Sequence, residues 1–209
     1  MPLVEKEEIY RVQSENIWSF GNQVLYDMCK RTPLHTNEEE IIGKVWLIGR
    51  SYAAALERRA KSPFKGTDFY KYEVAEKIKA IGTELDKRIE YLTNQPALKR
   101  ENLSEVLSTH RFLTDVFNSI SGLDNRSLAS KYLHFHAPNV FYIYDSIAYA
   151  GVTKYKLLDV QLKKELKASF CDATYLDFVS KAYPLNLRIF EEHGVWLLPR
   201  QLDSLLLKY

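Results

Sequence analysis

The chain has 209 residues, a length that suits one domain or two small lobes sharing a core. It holds only 8 glycines and 7 prolines, which argues against sandwiches, collagen-like repeats, disordered linkers and glycine-rich phosphate loops and favours helices. The 29 Lys and Arg residues exceed the 27 Asp and Glu residues by a net charge of only +2, so any nucleic-acid surface must come from segregation of charge.

The first half of the chain predicts helices separated by short breaks. A helix is expected around Ile9–Cys29, and another begins after Asn37, whose spacing to Glu40 is similar to a capping box. A break at 61–67 precedes a long helix predicted near 69–93.

The second half continues the helical pattern. Val140–Tyr144 is the one run typical of a strand, and it is too short to found a sheet. Pro184 is expected to kink or split the helix that contains it. The sequence thus predicts an all-α fold of about nine helices, the later ones at 104–120, 128–136, from Asp145, 159–170, 174–193 and from Pro199.

The sequence bears on the cellular location of the protein and on disulfide bonding only through features that it lacks. The segment Met1–Ile9 is acidic where a secretory signal needs a basic and then an apolar region, and the longest apolar runs have four residues. Cys29 and Cys171 are too few for a disulfide framework. A cytoplasmic protein that does not span a membrane is expected.

Lys131 and Asp145 carry the strongest chemical signal. Lys131 lies on a predicted helix of otherwise apolar and small residues, where partial desolvation favours the neutral, nucleophilic amine. Asp145 comes at a helix start, where the helix dipole stabilises its charge. One chain reversal separates the two, so they can meet in space. The simpler interpretations are a lysine that reaches water and a plain helix cap.

The passage from Ser121 to Val152 resembles the helix–hairpin–helix DNA glycosylase superfamily, and particularly its compact 8-oxoguanine glycosylase-like branch. In that family a hairpin of two helices carries a lysine near the start of the second helix, and a short extended segment leads to an aspartate that opens the next. Here SLASKYL around Lys131 and YIYDSIA around Asp145 match that pattern.

The resemblance implies a bifunctional DNA glycosylase and abasic-site lyase acting on a damaged or modified purine. Lys131 would attack the sugar C1′ of a flipped nucleotide, expel the base and form a Schiff base, and Asp145 would act as its acid/base partner. No metal ion or cofactor is required for that chemistry. DNA is the partner that the resemblance implies.

The hairpin departs from the family pattern, which usually has Gly-x-Gly at the turn. The segment Gly122–Ser127 has one glycine and an acidic residue, and we predict that Arg126 and Ser127 hold a phosphate there together with backbone amides. Two other interpretations stay open. One is a catalytically inactive or diverged module of the same fold that binds nucleic acid or a protein, and the other is a helical interaction protein without a nucleic-acid role.

Two basic segments are candidate phosphate contacts. The first, 50–65, contributes Arg50 and Arg58, and the second, 154–167, contributes Lys154 and Lys156 near aromatic residues. The alternative for each segment is an ordinary solvated helix face.

The remaining aromatic and histidine residues are mostly expected in the core. The spacing of Trp18, Trp46 and Trp196 is typical of core positions, although a flipped base needs aromatic walls. Phe135 and Trp196 are predicted to wall the substrate pocket. His110, His134 and His136 are expected to be structural rather than metal ligands.

Overall fold

The computed structural model describes residues 3–14, 17–61, 63, 65–167 and 170–207. Regular structure in these ranges is helical, without a strand, which confirms the predicted all-α class. No helix in them is both long enough and apolar enough to cross a bilayer. They contain eleven helices: α1 Lys6–Gln13, α2 Ser19–Arg31, α3 Glu38–Ser51, α4 66–80, α5 Gly82–Thr93, α6 Leu103–Ser121, α7 Arg126–His136, α8 Ser146–Lys154, α9 Val160–Lys167, α10 Ala173–His193 and α11 Pro199–Leu206.

The helix predicted around Ile9–Cys29 is two helices, α1 and α2. At Ser14 the backbone is extended and the hydroxyl donates to the Arg11 carbonyl at 2.7 Å, a local bond that competes with continuation of the helix. The cap of α3 is as predicted, since the Asn37 side chain accepts from the Glu40 amide at 3.1 Å.

The long helix predicted near 69–93 is also divided, into α4 and α5. The division lies at Ile81, whose φ of −103° and ψ of 3° interrupt the helix. Gly82 begins α5 next to the loop that precedes α3. A Cβ at this position would lie 2.7 Å from the His35 carbonyl oxygen, so the close approach requires glycine. These two divisions account for eleven helices where about nine were predicted. Ser62 and Phe64 of the predicted break lie outside the described residues.

The strand-like run Val140–Tyr144 is a buried extended segment without a partner strand among the described residues. Side chains satisfy its backbone instead. The Tyr144 amide donates to the Ser130 hydroxyl at 3.0 Å, and the Tyr142 carbonyl accepts from the Tyr175 hydroxyl at 2.8 Å. Apolar residues suit this run because it is buried. Asp145 follows directly after it.

Helix α7 is the centre of the fold. Every residue from Leu128 to His136 is buried, and helices α2, α3, α5 and α6 all contact it. A helix buried on all sides normally carries apolar residues only, so a lysine within it needs specific partners.

The prediction that all three tryptophans belong to the core is wrong for two of them. The side chains of Trp18 and Trp46 are 70% and 44% exposed. Trp18 lies before the first turn of α2, and Trp46 lies under the Arg50 guanidinium at 5.9 Å from its ring centroid. Only Trp196 is half-buried.

Pro184 does not split α10, which continues from Ala173 to His193. A proline inside a helix leaves the carbonyl four residues earlier, here that of Ser180, without its helical donor. The Asp159 amide donates to this carbonyl at 3.0 Å, so the bond is replaced from the start of α9.

Asn186 of α10 fixes the chain just before α11. Its fully buried amide donates to the Leu197 carbonyl at 2.8 Å and accepts from the Leu197 amide at 3.0 Å. We expect Asn186→Ala to lower the free energy of unfolding by about 2–4 kcal/mol, because two buried backbone groups lose their partners. Denaturant unfolding followed by circular dichroism measures this. Asn94→Ala is the matched control, since that exposed amide donates only to the Glu90 carbonyl. An equal effect of both changes would contradict the expectation.

Candidate active site

The hairpin between α6 and α7 forms with a single glycine in the left-handed conformation. Gly122 ends α6 with φ of 76°, and Asn125 takes the second left-handed position with φ of 46°. The Asn125 amide group donates to the Ser121 hydroxyl at 2.6 Å and to the Leu123 carbonyl at 2.8 Å. Asparagine is the non-glycine residue best suited to this conformation, so the turn forms with one glycine.

Lys131 lies in the second turn of α7 with its side chain 3% exposed. Its Nζ donates to the Ser127 hydroxyl at 2.8 Å and to Asp145 Oδ2 at 3.2 Å. The same atom lies 5.5 Å from the centroid of the Tyr52 ring. The structure therefore brings Lys131 and Asp145 together and fixes the amine from three sides.

Asp145 serves as helix cap and as lysine partner at the same time. Its Oδ1 accepts from the amides of Ile147 and Ala148 at 3.0 and 2.9 Å, which caps α8. Its Oδ2 faces Lys131. The two interpretations of this aspartate are compatible because each uses a different oxygen.

A cavity of about 440 Å³ opens beside this pair. The volume lies within the range of small-ligand pockets. Helices α2, α3, α7 and α11 contribute to its walls, together with the extended segment that ends at Asp145 before α8. The side chains that matter for chemistry are Lys131, Asp145, Asn22, Tyr52, Arg200 and Asp203.

Tyr52 connects the walls of the cavity. Its hydroxyl donates to Asn22 Oδ1 at 2.5 Å and accepts from Arg200 Nη2 at 2.9 Å. Burial raises the pKa of this phenol to about 12, so it remains a hydrogen-bond donor at neutral pH. Helices α2, α3 and α11 thus meet at one side chain.

Asp203 is a buried acid in the cavity wall. Burial raises its pKa to about 6, while Arg200, whose Nη1 lies 3.2 Å from Asp203 Oδ2, opposes the rise. Asp203 Oδ1 and Arg200 Nε are buried without a hydrogen-bond partner among the described residues. The carboxyl group can therefore hold a proton near neutral pH.

Sequence reasoning missed four of these residues, Asn22, Tyr52, Arg200 and Asp203. A signal was present for Asp203. In α11 the apolar face formed by Leu202, Leu205 and Leu206 also carries Asp203, which is a charged residue in the same kind of setting as Lys131. Tyr52 and Asn22 offer no such local signal.

The predicted pocket walls Phe135 and Trp196 require correction, since neither lines the cavity. The Phe135 ring is buried behind Tyr52, at 5.6 Å between centroids, because its position on α7 faces the core. The Trp196 ring packs against Tyr183 and Phe190 at 5.8 and 6.4 Å. Tyr52 and Trp18 provide the aromatic walls instead.

Arg126 and Ser127, predicted as phosphate contacts at the hairpin, have partners inside the protein. Arg126 Nε donates to both carboxylate oxygens of Asp172 at 2.8 and 2.7 Å, and its Nη2 lies 2.5 Å from Asp124. The Ser127 hydroxyl accepts from Lys131. The structure therefore does not support the predicted phosphate contact of Arg126 and Ser127. Acidic residues balance the guanidinium, and the hydroxyl is hydrogen-bonded to Lys131.

The first basic segment is also partly neutralised. Arg50 forms an ion pair with Glu57, which also accepts from the Tyr70 hydroxyl at 2.5 Å. Arg58 is exposed, and the side chain of Arg59 lies outside the described residues. Arg58 is thus the better remaining candidate for a phosphate contact in this segment.

The second basic segment keeps exposed lysines at the end of α8. Lys154 and Lys156 are exposed, and Lys156 has a positive φ of 54°. Farther along, Asp177 pairs with Lys163 and Lys181 and accepts from the Tyr149 hydroxyl at 2.5 Å. Tyr149, one of the aromatic residues near this segment, is therefore hydrogen-bonded within this network.

His134 and His110 contact other residues of the core. His134 contacts the Phe141 carbonyl at 3.0 Å through Nδ1 and the Tyr26 hydroxyl at 2.6 Å through Nε2. His110 stacks on Tyr175 with 3.7 Å between centroids. In the ranges that the structure describes, no group of three or more His, Cys, Asp or Glu side chains is placed to hold a metal ion.

Comparison of the chain with protein-family models, with curated proteins and with solved structures gives no match.

Proposed function

We propose that this protein is a lysine-dependent DNA glycosylase and abasic-site lyase acting on a damaged or modified purine. The observation that carries the proposal is the contact between Lys131 Nζ and Asp145 Oδ2, at 3.2 Å in the wall of a cavity that can admit a small ligand. A nucleophilic amine needs a nearby group to take its proton, and Asp145 is within direct transfer distance.

In the proposed reaction, three side chains of the cavity wall act one after another. Lys131 gives a proton to Asp145 and attacks C1′ of the nucleotide whose base occupies the cavity. The base leaves with the electron pair of the glycosidic bond, and Asp203, which holds a proton near pH 6, is placed in the same cavity to protonate it. The C1′–O4′ bond then breaks and O4′ takes one of the two amine protons, which gives the iminium form, a Schiff base between Lys131 and C1′. Loss of the C2′ proton to water forms a C2′–C3′ double bond, and the C3′–O bond breaks so that the 3′ phosphate leaves with its electron pair.

The reaction needs the nucleotide outside the base stack, because C1′ is not accessible in stacked DNA. The cavity provides a place for it, with the Tyr52 ring as an aromatic face and Asn22 as a polar group. The side chains present supply nucleophile, base and acid, so each role has a named residue.

An oligonucleotide with an abasic site tests the proposal without knowledge of the base. Its sugar aldehyde is already free, so borohydride should reduce the Schiff base and leave a covalent protein–DNA adduct. We expect peptide mapping to place the adduct on Lys131. A failure to form an adduct, or an adduct spread over exposed lysines such as Lys154, would contradict the proposal. Binding without an adduct would support the diverged, non-catalytic module.

A further inference from the structure

Arg200 is the charged side chain of the cavity wall to which the proposed reaction gives no role. Its Nη2 donates to the Tyr52 hydroxyl at 2.9 Å, and its Nη1 lies 3.2 Å from Asp203 Oδ2. The guanidinium also lies 5.4 Å from the centroid of the Tyr52 ring and 5.6 Å from that of Phe135. Polar contacts in its plane and aromatic rings beside it are the two ways in which an arginine is held in one position.

Tyr26 of α2 is a further neighbour of the guanidinium. His134 Nδ1 lies 3.0 Å from the Phe141 carbonyl, which only accepts, so Nδ1 carries the ring proton and Nε2 accepts from the Tyr26 hydroxyl at 2.6 Å. Burial lowers the pKa of His134 well below its ordinary value, so the ring stays neutral and keeps this arrangement. The Tyr26 oxygen therefore keeps its lone pairs for a cation. Arg200 is that cation, since its charge opposes the rise that burial causes in the pKa of the Tyr26 phenol.

Tyr52 is oriented in the same way as Tyr26. Its hydroxyl donates to Asn22 Oδ1 at 2.5 Å, which leaves the oxygen free to accept from Arg200. Both phenols thus direct their hydrogen to another acceptor and present an oxygen to the guanidinium. An arginine that is pre-organised in this way loses little side-chain entropy when it pairs with a carboxyl group.

The guanidinium in turn fixes the Asp203 carboxyl group. The side chains of Arg200 and Asp203 are 22% and 4% exposed, so solvent ions screen this contact much less than a surface ion pair. Burial raises the pKa of Asp203 to about 6, the charges of Arg200 on α11 and Lys131 on α7 oppose the rise, and that of Asp145 before α8 adds to it. Without Arg200 the carboxyl group would lose its one ion-pair partner on α11 and stay protonated to a higher pH.

We propose that Arg200 is a positioning residue of the reaction: its guanidinium, fixed by Tyr52 and Tyr26, holds the Asp203 carboxyl group at the cavity wall, where it gives its proton to the group that leaves C1′. The inference rests on the proposed function for the nature of that group. It adds the residue on which the acid depends and connects the acid to α2 through Tyr26.

An abasic-site oligonucleotide tests this without knowledge of the base, because a hydroxyl group then leaves C1′ instead of the base. The Lys131 amine adds to the aldehyde carbon, one amine proton moves to the oxygen, and a carbinolamine forms. Asp203 protonates the hydroxyl group, the C1′–O bond breaks with its electron pair on the oxygen, and water leaves as the nitrogen lone pair forms the C=N bond. The rate of trapping by cyanoborohydride, which survives in mild acid, should therefore have an inflection near pH 6.

Trapping rates over a range of pH compare the unchanged protein with Arg200→Met. We expect the variant to react more slowly and its inflection to lie about 1–3 pH units higher, the effect of losing a nearby opposite charge. Arg200→Lys, which keeps the charge but not the planar fork, should move the inflection less. Asp203→Asn should abolish it, which assigns the inflection to this carboxyl group.

Arg111→Met is the matched control, since Arg111 pairs with Asp115 of its own helix and does not line the cavity. Melting temperatures establish that the variants are folded. If Arg200→Met does not fold, Arg200→Gln removes the charge, keeps a donor for Tyr52, and should show the same shift. Loss of packing alone lowers the rate without moving the inflection. An inflection that stays near pH 6, or that moves equally in Arg111→Met, would overturn the inference.

The two proposals fail separately. If the adduct forms on Lys131 and the inflection does not move, the catalytic function stands and the positioning role is wrong. If no adduct forms at any pH, the catalytic function is wrong. Carbon-13 NMR of the labelled Asp203 carboxyl group then still tests the contact: a titration midpoint that rises in Arg200→Met supports it, and an unchanged midpoint overturns it.

Discussion

Asp145→Asn is expected to lower the rate of Schiff-base formation with an abasic-site oligonucleotide by about 10²- to 10⁴-fold while the fold is retained. Asparagine caps a helix as well as aspartate does, so its side-chain oxygen can still accept from the amides of Ile147 and Ala148. The other atom becomes an NH₂ donor that faces the Lys131 amine. The acceptor for the lysine proton is then lost without loss of the cap.

Single-turnover borohydride trapping measures this rate, and thermal unfolding measures the fold. Asp159→Asn is the control, because Asp159 caps α9 by accepting from the Leu162 amide at 2.8 Å and is not part of the cavity wall. It should leave the rate unchanged. A rate for Asp145→Asn within about threefold of the control would show that Asp145 is only a cap.

Gly151→Ala is expected to lower the free energy of unfolding by about 3 kcal/mol and the melting temperature by about 6–12 °C. Gly151 lies where α8 crosses α11. A Cβ there would overlap the Leu206 carbonyl oxygen and come within 3.0 Å of its carbonyl carbon. Backbone cannot move aside as a side chain can, so the two helices must separate.

Calorimetry on the variant and on Gly43→Ala checks this expectation. Gly43 lies in α3, and a Cβ there would meet nothing within 4 Å. Because alanine favours helix more than glycine does, Gly43→Ala should be neutral or stabilising by up to about 1 kcal/mol. Equal melting temperatures for the two variants would mean that α8 and α11 are less closely packed than described.

Lys131 and Asp145 could be predicted from the sequence because each carries a local signal. A lysine in an apolar helix and an aspartate at a helix start are visible without knowledge of the fold. The all-α class was predictable for a similar reason, since the scarcity of glycine and proline and the apolar periodicity are properties of the chain itself. The divisions at Ser14 and Ile81 were not, because they depend on a local bond and on a loop packed nearby.

Charge pairing and exposure could not be predicted, because both depend on residues distant in the chain. Arg126 is balanced by Asp172, which is 46 positions away. The apolar spacing of Trp18 predicts which side of the helix the ring lies on but not how exposed it is, and the ring is 70% exposed. The role of Arg200 is visible only in the folded chain, where α11 brings its guanidinium to the Tyr52 hydroxyl.

The contacts among Asn22, Tyr52 and Arg200 also determine when the cavity can exist. Arg200 lies 148 positions after Tyr52, and the ribosome synthesises at about 5–20 residues per second, so about 7–30 seconds separate the two. Until α11 has emerged and docked, Lys131 has no enclosed cavity beside it and the Tyr52 network is incomplete. Loop closure over so long a span is slow compared with helix formation. We therefore expect the Lys131 amine to be enclosed late in folding, after the hairpin that carries it.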